Sequence, residues 1–179
     1  MTTSPAAIDE RARAIRLVVL DVDGVLTDGR IIYTDAGEEI KAFHVRDGHG
    51  LRMLQEAGLT VAIITGRRSL AVAHRAQNLG ITHVYQGVRD KVAVLRQLQE
   101  ELALSPAATA VMGDDLVDLG MMAQAGLAAA VADAPPEVRQ RAHWLSSLPG
   151  GQGAVRELAE LLLKAQGHWD RLLARYTAG

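Results

Sequence analysis

Two groups of aspartates, each at the end of an apolar run, are the strongest candidates for a reactive or metal-binding site in this sequence. Asp21 and Asp23 follow residues 15–20, which are apolar except for Arg16. A second acidic group within residues 113–118 follows residues 108–112, which are apolar except for Thr109. Carboxylates held this close repel one another unless a cation or a shared proton lies between them. The pattern therefore favours a metal site, although a single Asp-x-Asp after a strand is more often turn chemistry.

The elements that must position these aspartates are the strands of a parallel sheet. A fully apolar run with β-branched residues is typical of an interior parallel strand, and ligands of open α/β sheets bind beyond the carboxyl ends of such strands. Two more polar side chains fit this scheme, because Thr65 ends the apolar residues 61–64 and Lys91 starts a helix after a short strand near residues 83–85. We expect all these side chains to meet at one edge of the sheet.

The chain alternates between strands and single helices, which predicts a doubly wound, mainly parallel Rossmann-like α/β sheet. The predicted strands cover residues 15–20, 60–64, 83–85, 108–112, 127–132 and 143–145. The predicted helices cover residues 49–57, 70–79, 91–102, 116–125, 137–141 and 154–165. We expect a single domain over residues 1–179, with a mobile tail at 168–179 because the apolar spacing is weak there.

One segment breaks the alternation and predicts a β-hairpin over residues 29–45. Its first strand lies near residues 30–33, Gly37 supplies the turn, and the second strand runs on from Glu39. An isolated hairpin is marginal in water. Its apolar side chains therefore need a surface to pack on, which is either the parent domain or another subunit.

Composition limits the classes of protein that remain. The chain has 179 residues, 49% of them hydrophobic and 22% charged, which fits one domain with a sizeable core. The net charge of −2 gives no reason to expect nucleic acid as a partner, and the absence of cysteine excludes disulfides and thiol catalysis. Residues 1–16 lack the apolar core of a leader, and no run is long enough to span a bilayer, so we expect a cytoplasmic protein with no membrane partner.

In chain order, the polar groups resemble the four motifs of the haloacid dehalogenase superfamily of phosphatases. The matching positions are Asp21 with Asp23, Thr65, Lys91, and Asp114 with Asp118. The segments DVDGVLTDG, FHVRDGHG, ITGRRS, GDDLVD and GGQGAVRE are further similar to a subgroup that removes the phosphate from an eight-carbon keto-acid sugar. Many members of the superfamily carry a cap domain where this chain has only the hairpin.

The resemblance implies four catalytic residues for the hydrolysis of a phosphate ester. Asp21 is expected to attack phosphorus and form an aspartyl-phosphate, and Asp23 to act as general acid and then general base. Lys91 is expected to hold Asp21 and a phosphate oxygen together. Thr65 is expected to donate a hydrogen bond to another phosphate oxygen.

The resemblance also implies Mg²⁺ as the cofactor, since this cation prefers oxygen ligands in octahedral geometry. Its expected protein ligands are Asp21, Asp114 and the backbone carbonyl of Asp23. Asp115 and Asp118 are expected to act one step further out, by orienting Lys91 or the waters of the metal. The alternative for Asp118 is an ordinary acidic residue in the first turn of a helix.

The substrate of the subgroup is a small anionic sugar phosphate, and the resemblance extends to the residues that contact it. The corresponding positions are Asp23, His44, Val45, Arg46, Asp47, Gly48, Arg52, Arg67, Arg75 and Lys91. Arginine forks suit carboxylates, although the spacing of Arg52 and Arg75 also fits an exposed helix face. The resemblance further implies a homotetramer in which the hairpin packs between subunits.

Three other interpretations compete with this one. A sister phosphatase acts on a nine-carbon keto-acid sugar 9-phosphate, but it tends to carry an acidic residue where this chain has Arg67. A phospho-acceptor receiver domain also uses Asp, Thr and Lys, but its acceptor lies on the third strand and the order here differs. A non-catalytic relative retained for oligomerisation is disfavoured by the intact Asp21, Asp23 and Lys91.

Overall fold

The chain folds around one six-stranded sheet. The structure, a computed structural model, describes residues 4–177. In spatial order the strands are β5, β4, β1, β6, β7 and β8, and every neighbouring pair is parallel. Their bounds are β1 Leu17–Leu20, β4 Thr60–Thr65, β5 His83–Gln86, β6 Thr109–Gly113, β7 Leu127–Ala130 and β8 Trp144–Leu145. The predicted α/β class is confirmed.

Strand β1 lies in the middle of the sheet, where the chain changes direction. Strands β4 and β5 extend the sheet on one side of it, and β6, β7 and β8 extend it on the other. Because parallel crossovers are right-handed, this reversal at β1 directs the helices to both faces, which is the doubly wound arrangement. Leu20 pairs with Ile63 on β4 and with Met112 on β6, so the residues that follow these three form the top edge of the sheet.

Eight helices belong to the described part of the chain. They are α1 Pro5–Ala14, α2 Val45–Glu56, α3 Leu70–Leu79, α4 Lys91–Glu101, α5 Leu119–Met122, α6 Pro136–Arg139, α7 Ala154–Ala165 and α8 Trp169–Thr177. Helix α7 packs against α2, α1 and α8, and α4 packs against α5. One cluster of buried apolar side chains joins the sheet to these helices, so the hydrophobic effect fixes the strand ends relative to one another.

The hairpin is present but shorter than the predicted 29–45. Strand β2 is Ile32–Tyr33 and strand β3 is Glu39–Ile40, and they pair antiparallel with Ile32 opposite Ile40. Gly37 has a φ of +81° in the turn, as expected for a residue without a side chain. Three of the apolar side chains on these strands are about half exposed, at 46% for Ile32, 60% for Tyr33 and 49% for Ile40.

Helix α2 begins at Val45 and not near residue 49, so residues 45–48 are its first turn and not a loop. Two glycines obscure this start in the sequence, because glycine disfavours helices. Contacts of α2 with other helices nevertheless favour a residue without a side chain at both positions. A side chain at Gly48 would overlap Arg75, and one at Gly50 would press on Ala159 of α7.

Two other segments also differ from the predictions. The predicted helix at 116–125 is a 3-10 turn over Leu116–Asp118 followed by the short α5, because the Asp118 side chain bends back to the preceding backbone. Where a mobile tail was predicted at 168–179, helix α8 forms and buries Leu172 against the core; residues 178–179 lie outside the described part. No helix within residues 4–177 has the length and apolar character needed to cross a membrane.

Candidate active site

The carboxyl ends of β1 and β6 bring the two aspartate groups together around a buried lysine. Asp21 follows β1, and Lys91 is the first residue of α4. Lys91 Nζ lies 3.1 Å from Asp21 Oδ1 and donates a 2.8 Å hydrogen bond to Asp118 Oδ1. Burial alone would lower the pKa of Lys91, but the two carboxylates outweigh it and raise this pKa. The ammonium therefore remains charged beside Asp21.

Three carboxylates crowd one point at this edge. One oxygen from each of Asp21, Asp114 and Asp118 lies within 4.8 Å of the others. Burial, and then the charge of Asp118, raise the pKa of Asp21 to about 6. Burial, followed by the charges of Asp118 and Asp21, raises the pKa of Asp114 to about 8. The protein has thus placed acids where their ionised forms need a cation.

The donor set fits a magnesium ion. Asp21 Oδ1 and Asp114 Oδ1 are buried and accept no hydrogen bond from the described residues; Asp21 Oδ1 has only its charge interaction with Lys91. Carboxylate oxygens of this kind are the ligands that Mg²⁺ prefers. Gly24 leaves room for the Asp114 carboxylate, because any side chain at position 24 would overlap this carboxylate.

Asp118 is already fully occupied by protein partners. Its Oδ1 accepts from Lys91, and its Oδ2 accepts from the backbone N–H of Asp114 at 3.1 Å and of Asp115 at 3.3 Å. This residue therefore orients the lysine and the acidic loop. Asp115 differs, because its exposed side chain accepts from the N–H of Leu116 at 2.7 Å and caps the 3-10 turn.

Thr65 lies at the end of β4, next to β1 in the sheet. Its side chain is buried, and the backbone N–H of Arg67 approaches its Oγ1 at 3.5 Å. Its carbonyl accepts a 3.1 Å hydrogen bond from Val88, which ties the end of β4 to the loop before Lys91. The hydroxyl hydrogen is free to donate to an anion at this edge.

Asp23 lies beneath the hairpin, within a network of four charged side chains. Lys41 donates to its Oδ1, and Arg67 Nε lies 3.8 Å from its Oδ2. Glu39 joins the two cations, at 2.6 Å from Arg67 Nη2 and 3.1 Å from Lys41 Nζ. The hydrogen bond that Arg67 donates to Glu39 lowers the pKa of Glu39. The same bond, with a further one that Arg67 donates to Tyr33, raises the pKa of Arg67.

Sequence reasoning missed both Lys41 and Glu39. They lie in the hairpin, whose length and pairing gave no sign that it folds back over the edge of the sheet. The one available signal was composition, because Lys41 is one of only three lysines in a chain with nineteen basic residues.

Asp47, in the first turn of α2, binds the backbone at the start of α7. Asp47 is buried and accepts from the backbone N–H of Gly153 at 3.2 Å and of Arg156 at 2.8 Å. It therefore caps α7, whose own N-cap is a glycine without a side chain. Each oxygen of Asp47 thus accepts one backbone hydrogen bond, and the expected contact of Asp47 with substrate stays a prediction.

Arg75 reaches the same region from α3. Its guanidinium lies 3.3 Å from the carbonyl of His44 and 5.8 Å from the ring centre of Phe43, and it passes over Gly48, where a side chain would overlap it. Arg75 is therefore not on an open helix face, and His44 and Gly48 lie beside it.

Arg52 and Arg46 are both placed at the surface of α2. Arg52 donates to the carbonyl of Asn78 near the C-terminal end of α3, which is the end of the helix remote from the carboxyl ends of the strands. Within residues 4–177 no hydrogen bond or ion pair joins Arg52 to the aspartate cluster, and its contact with substrate stays a prediction. Val45 and Arg46 are exposed at the first turn of α2, with no polar side-chain partner among the described residues.

A glycine-rich loop supports the turn that carries Asp21 and Asp23. Gly151 N–H donates a 2.9 Å hydrogen bond to the carbonyl of Val25. A side chain at Gly150 would overlap the carbonyl of Gly24. Residues 150–151 therefore press directly on the backbone of the turn, and their contact helps fix its shape.

Comparison with known protein families identifies the class of protein to which this fold and this aspartate cluster belong. A family model described as haloacid dehalogenase-like hydrolase matches residues 80–155. This segment includes Lys91 and the second acidic group, and the class is that of the haloacid dehalogenase-like hydrolases.

Close relatives narrow the class. The 3-deoxy-D-manno-octulosonate 8-phosphate phosphatase of Yersinia pestis is 50% identical over 90% of this chain and 88% of its own. That of Escherichia coli K12 is 49% identical over 93% of this chain and 89% of its own. A crystal structure of the enzyme from Moraxella catarrhalis, in complex with magnesium, phosphate and KDO, is 42% identical, with a TM-score of 0.95 and coverage of 97% and 99%.

The chain therefore belongs to the family of 3-deoxy-D-manno-octulosonate 8-phosphate phosphatases. It is a phosphatase, and the expected enzyme class and the resemblance to the superfamily are both confirmed.

Proposed function

We propose that this chain hydrolyses the 8-phosphate of 3-deoxy-D-manno-octulosonate 8-phosphate, a step in the synthesis of a lipopolysaccharide sugar. The observation that carries the proposal is the position of the buried Asp21. One of its oxygens lies 3.1 Å from Lys91 Nζ, and one lies within 4.8 Å of an oxygen of Asp114, close enough for both carboxylates to bind one cation. A phosphoryl group needs this arrangement of a nucleophile with positive charge around it. The family of the closely similar relatives supplies the substrate.

The reaction starts with attack by Asp21 on phosphorus. The bond from phosphorus to the sugar oxygen breaks as the bond to the Asp21 carboxylate forms, and protonated Asp23 transfers its proton to the departing sugar oxygen. Asp23, now ionised, then takes a proton from water. The resulting hydroxide attacks the aspartyl-phosphate, which regenerates Asp21 and releases inorganic phosphate.

The other residues act on charge and orientation. Lys91 holds an oxygen of Asp21 and balances the charge of the phosphoryl group, and Thr65 donates to a second phosphoryl oxygen. Asp21, Asp114 and the carbonyl of Asp23 are the proposed ligands of Mg²⁺, which when bound reduces the repulsion between an anionic nucleophile and an anionic ester. The magnesium in the Moraxella catarrhalis structure supports this cofactor.

Recognition of the sugar carboxylate falls to arginines at the rim. Arg67 is the best candidate, because its side chain is 42% exposed and its Nε is 3.8 Å from Asp23. Arg75, with His44 and Gly48 beside it, is the second. An arginine at position 67 also favours the eight-carbon sugar over the nine-carbon alternative, whose phosphatases tend to carry an acid there.

We further propose a homotetramer built from single-domain subunits. The resemblance to the family supplies the number four, and the hairpin supports an interface. Its polar residues pair with the active-site edge of their own chain, while Ile32, Tyr33 and Ile40 remain about half exposed. Apolar patches of this kind mark interfaces. Arg52, remote from the cluster of its own chain, is open to contacts with another subunit. We infer a cytoplasmic location, since a charged sugar phosphate does not cross a bilayer and must be hydrolysed where it is made.

The direct test is phosphate release from 3-deoxy-D-manno-octulosonate 8-phosphate in the presence of Mg²⁺, with Asp21→Asn as the matched variant. The amide retains the shape of Asp21 but cannot attack phosphorus, so turnover should vanish while the fold stays intact. Activity within a few-fold of the wild type in a well-folded Asp21→Asn protein would overturn the mechanism. Absence of release by the wild type would overturn the substrate.

A further inference from the structure

The hairpin carries a buried lysine to the proposed acid–base residue. Lys41 follows β3, and its side chain is only 1% exposed. Its ammonium donates to Asp23 Oδ1 and lies 3.1 Å from Glu39 Oε1. Burial alone would lower the pKa of Lys41, but the hydrogen bonds to Asp23 and Glu39 outweigh it and raise this pKa. The site thus contains a charged lysine that none of the catalytic steps above uses.

We propose that Lys41 is a positioning residue, which fixes one oxygen of the Asp23 carboxylate so that the other faces the leaving oxygen of the substrate. The proposal rests on the role proposed above for Asp23. The hairpin would then act in the chain's own active site in addition to its proposed role between subunits.

The two oxygens of Asp23 have unlike surroundings. Lys41 donates a charge-assisted hydrogen bond to Oδ1, the strong type of hydrogen bond. Arg67 Nε is 3.8 Å from Oδ2, beyond hydrogen-bonding distance. Oδ2 is therefore the oxygen that remains available to carry and transfer a proton.

Glu39 completes the arrangement by holding both cations in place. It binds Arg67 Nη2 at 2.6 Å and lies 3.1 Å from Lys41 Nζ. Without Lys41, Asp23 would be free to rotate towards Arg67, and the proton on Oδ2 would no longer point at the leaving group. Misplacement of a catalytic group by about 1 Å can cost on the order of 10²-fold in rate.

The choice of leaving group separates this role from a merely structural one. A sugar alkoxide is a poor leaving group and needs a proton, whereas p-nitrophenolate departs without one. The ratio kcat/KM reports the steps up to the departure of the leaving group. Loss of Lys41 should therefore lower kcat/KM for the sugar phosphate and largely spare kcat/KM for p-nitrophenyl phosphate.

The experiment compares Lys41→Met and Lys41→Gln with the wild type in Mg²⁺, after thermal unfolding has shown which variants fold. We expect kcat/KM for the sugar phosphate to fall about 10–100-fold, less than the ~10²–10⁴-fold that general acid–base catalysis typically contributes, because Asp23 itself remains in place. Glu38→Gln is the matched control, since this exposed side chain lies on the same hairpin outside the network, and its kinetics should be unchanged. In an Asp23→Asn background, Lys41→Met should add no further loss.

Equal losses on the two substrates would overturn the proposal, and so would an undiminished effect of Lys41→Met in the Asp23→Asn background. Failure of both Lys41 variants to fold would also overturn it, since the lysine would then serve the fold. The role of Asp23 itself is tested separately by the single variant Asp23→Asn, whose failure to discriminate between the two leaving groups would remove the acid–base assignment.

Discussion

Lys91 donates a 2.8 Å hydrogen bond to Asp118, a residue 27 positions further along the chain, and both side chains are buried. This bond joins the start of α4 to the acidic loop after β6. The same aspartate holds the N–H groups of Asp114 and Asp115. The Asp118 side chain therefore fixes the Lys91 ammonium beside Asp21, the proposed nucleophile, and the loop that carries Asp114, the proposed metal ligand.

We predict that Asp118→Asn lowers both activity and magnesium affinity although Asp118 is neither the proposed nucleophile nor a proposed metal ligand. The amide cannot balance the charge of Lys91. Its NH2 group, which is a donor, would also face one of the donors from which the Asp118 carboxylate now accepts a hydrogen bond. Loss of such supporting contacts typically costs about 10–100-fold. A magnesium titration of kcat/KM measures both effects, with the exposed Asp115→Asn as the control. An Asp118→Asn enzyme with wild-type magnesium dependence would contradict the assigned role.

Removal of divalent metal should abolish turnover, and Ca²⁺ should inhibit it. Ca²⁺ accepts more ligands at longer distances than Mg²⁺, so it can engage both oxygens of Asp21 and leave neither free to attack. The measurement is phosphate release by chelator-treated enzyme during titration with each cation. Full activity without any divalent cation would refute the role of Asp114 as a ligand.

Removal of the divalent metal by a chelator should also change how the stability of the fold depends on pH. The pKa of Asp114 rises from 3.8 to about 8 in the fold, so the metal-free folded state holds a proton that the unfolded chain loses. The free energy of unfolding should therefore fall as pH rises from about 4 to about 8, and Mg²⁺ should offset this fall. Thermal unfolding with chelator and with Mg²⁺, across this range, measures both curves.

Arg67→Ala should reduce kcat/KM for the keto-acid sugar phosphate and leave p-nitrophenyl phosphate nearly unaffected. The reason is that Arg67 is proposed to bind the sugar's carboxylate and not its phosphate. Arg68→Ala is the control, because the neighbouring arginine is exposed and lies outside the charged network. Equal losses on both substrates would assign Arg67 to the phosphate or to the fold.

A polar substitution on the hairpin should dissociate the proposed tetramer and lower activity. Ile32→Glu is the sharper choice, since Ile32 is 46% exposed, whereas Phe43 lies under Arg75 and a change there would also disturb the site. Leu145→Glu, at the far edge strand, is the control for added charge. Light scattering gives the mass, and a wild-type protein that is a fully active monomer would remove the hairpin's role between subunits.

The positions of Asp21, Thr65, Lys91 and Asp114 relative to the sheet could be predicted because each follows or precedes an element with a clear apolar pattern. Parallel strands end at one edge, so local sequence was enough to bring these side chains together. The start of α2 was not predictable in this way, because Gly48 and Gly50 serve contacts with Arg75 and α7 that only the folded chain contains.

The partners of Asp47 and Asp23 show a second limit. Asp47 caps a helix more than 100 residues away, and Lys41 reaches Asp23 only because the hairpin folds back. No periodicity or motif encodes such long-range side-chain pairs. A resemblance to a family assigns residues to a site, but it does not show which of them are already held by the backbone.

The substrate and the nucleophile are tested together by kcat/KM across a panel of phosphate esters in Mg²⁺. The panel contains 3-deoxy-D-manno-octulosonate 8-phosphate, the nine-carbon keto-acid sugar 9-phosphate, a sugar phosphate without a carboxylate, and p-nitrophenyl phosphate. We expect the highest value for the eight-carbon 8-phosphate, with every value lost in Asp21→Asn. A higher value for the nine-carbon ester, or equal values for all four esters, would contradict this expectation.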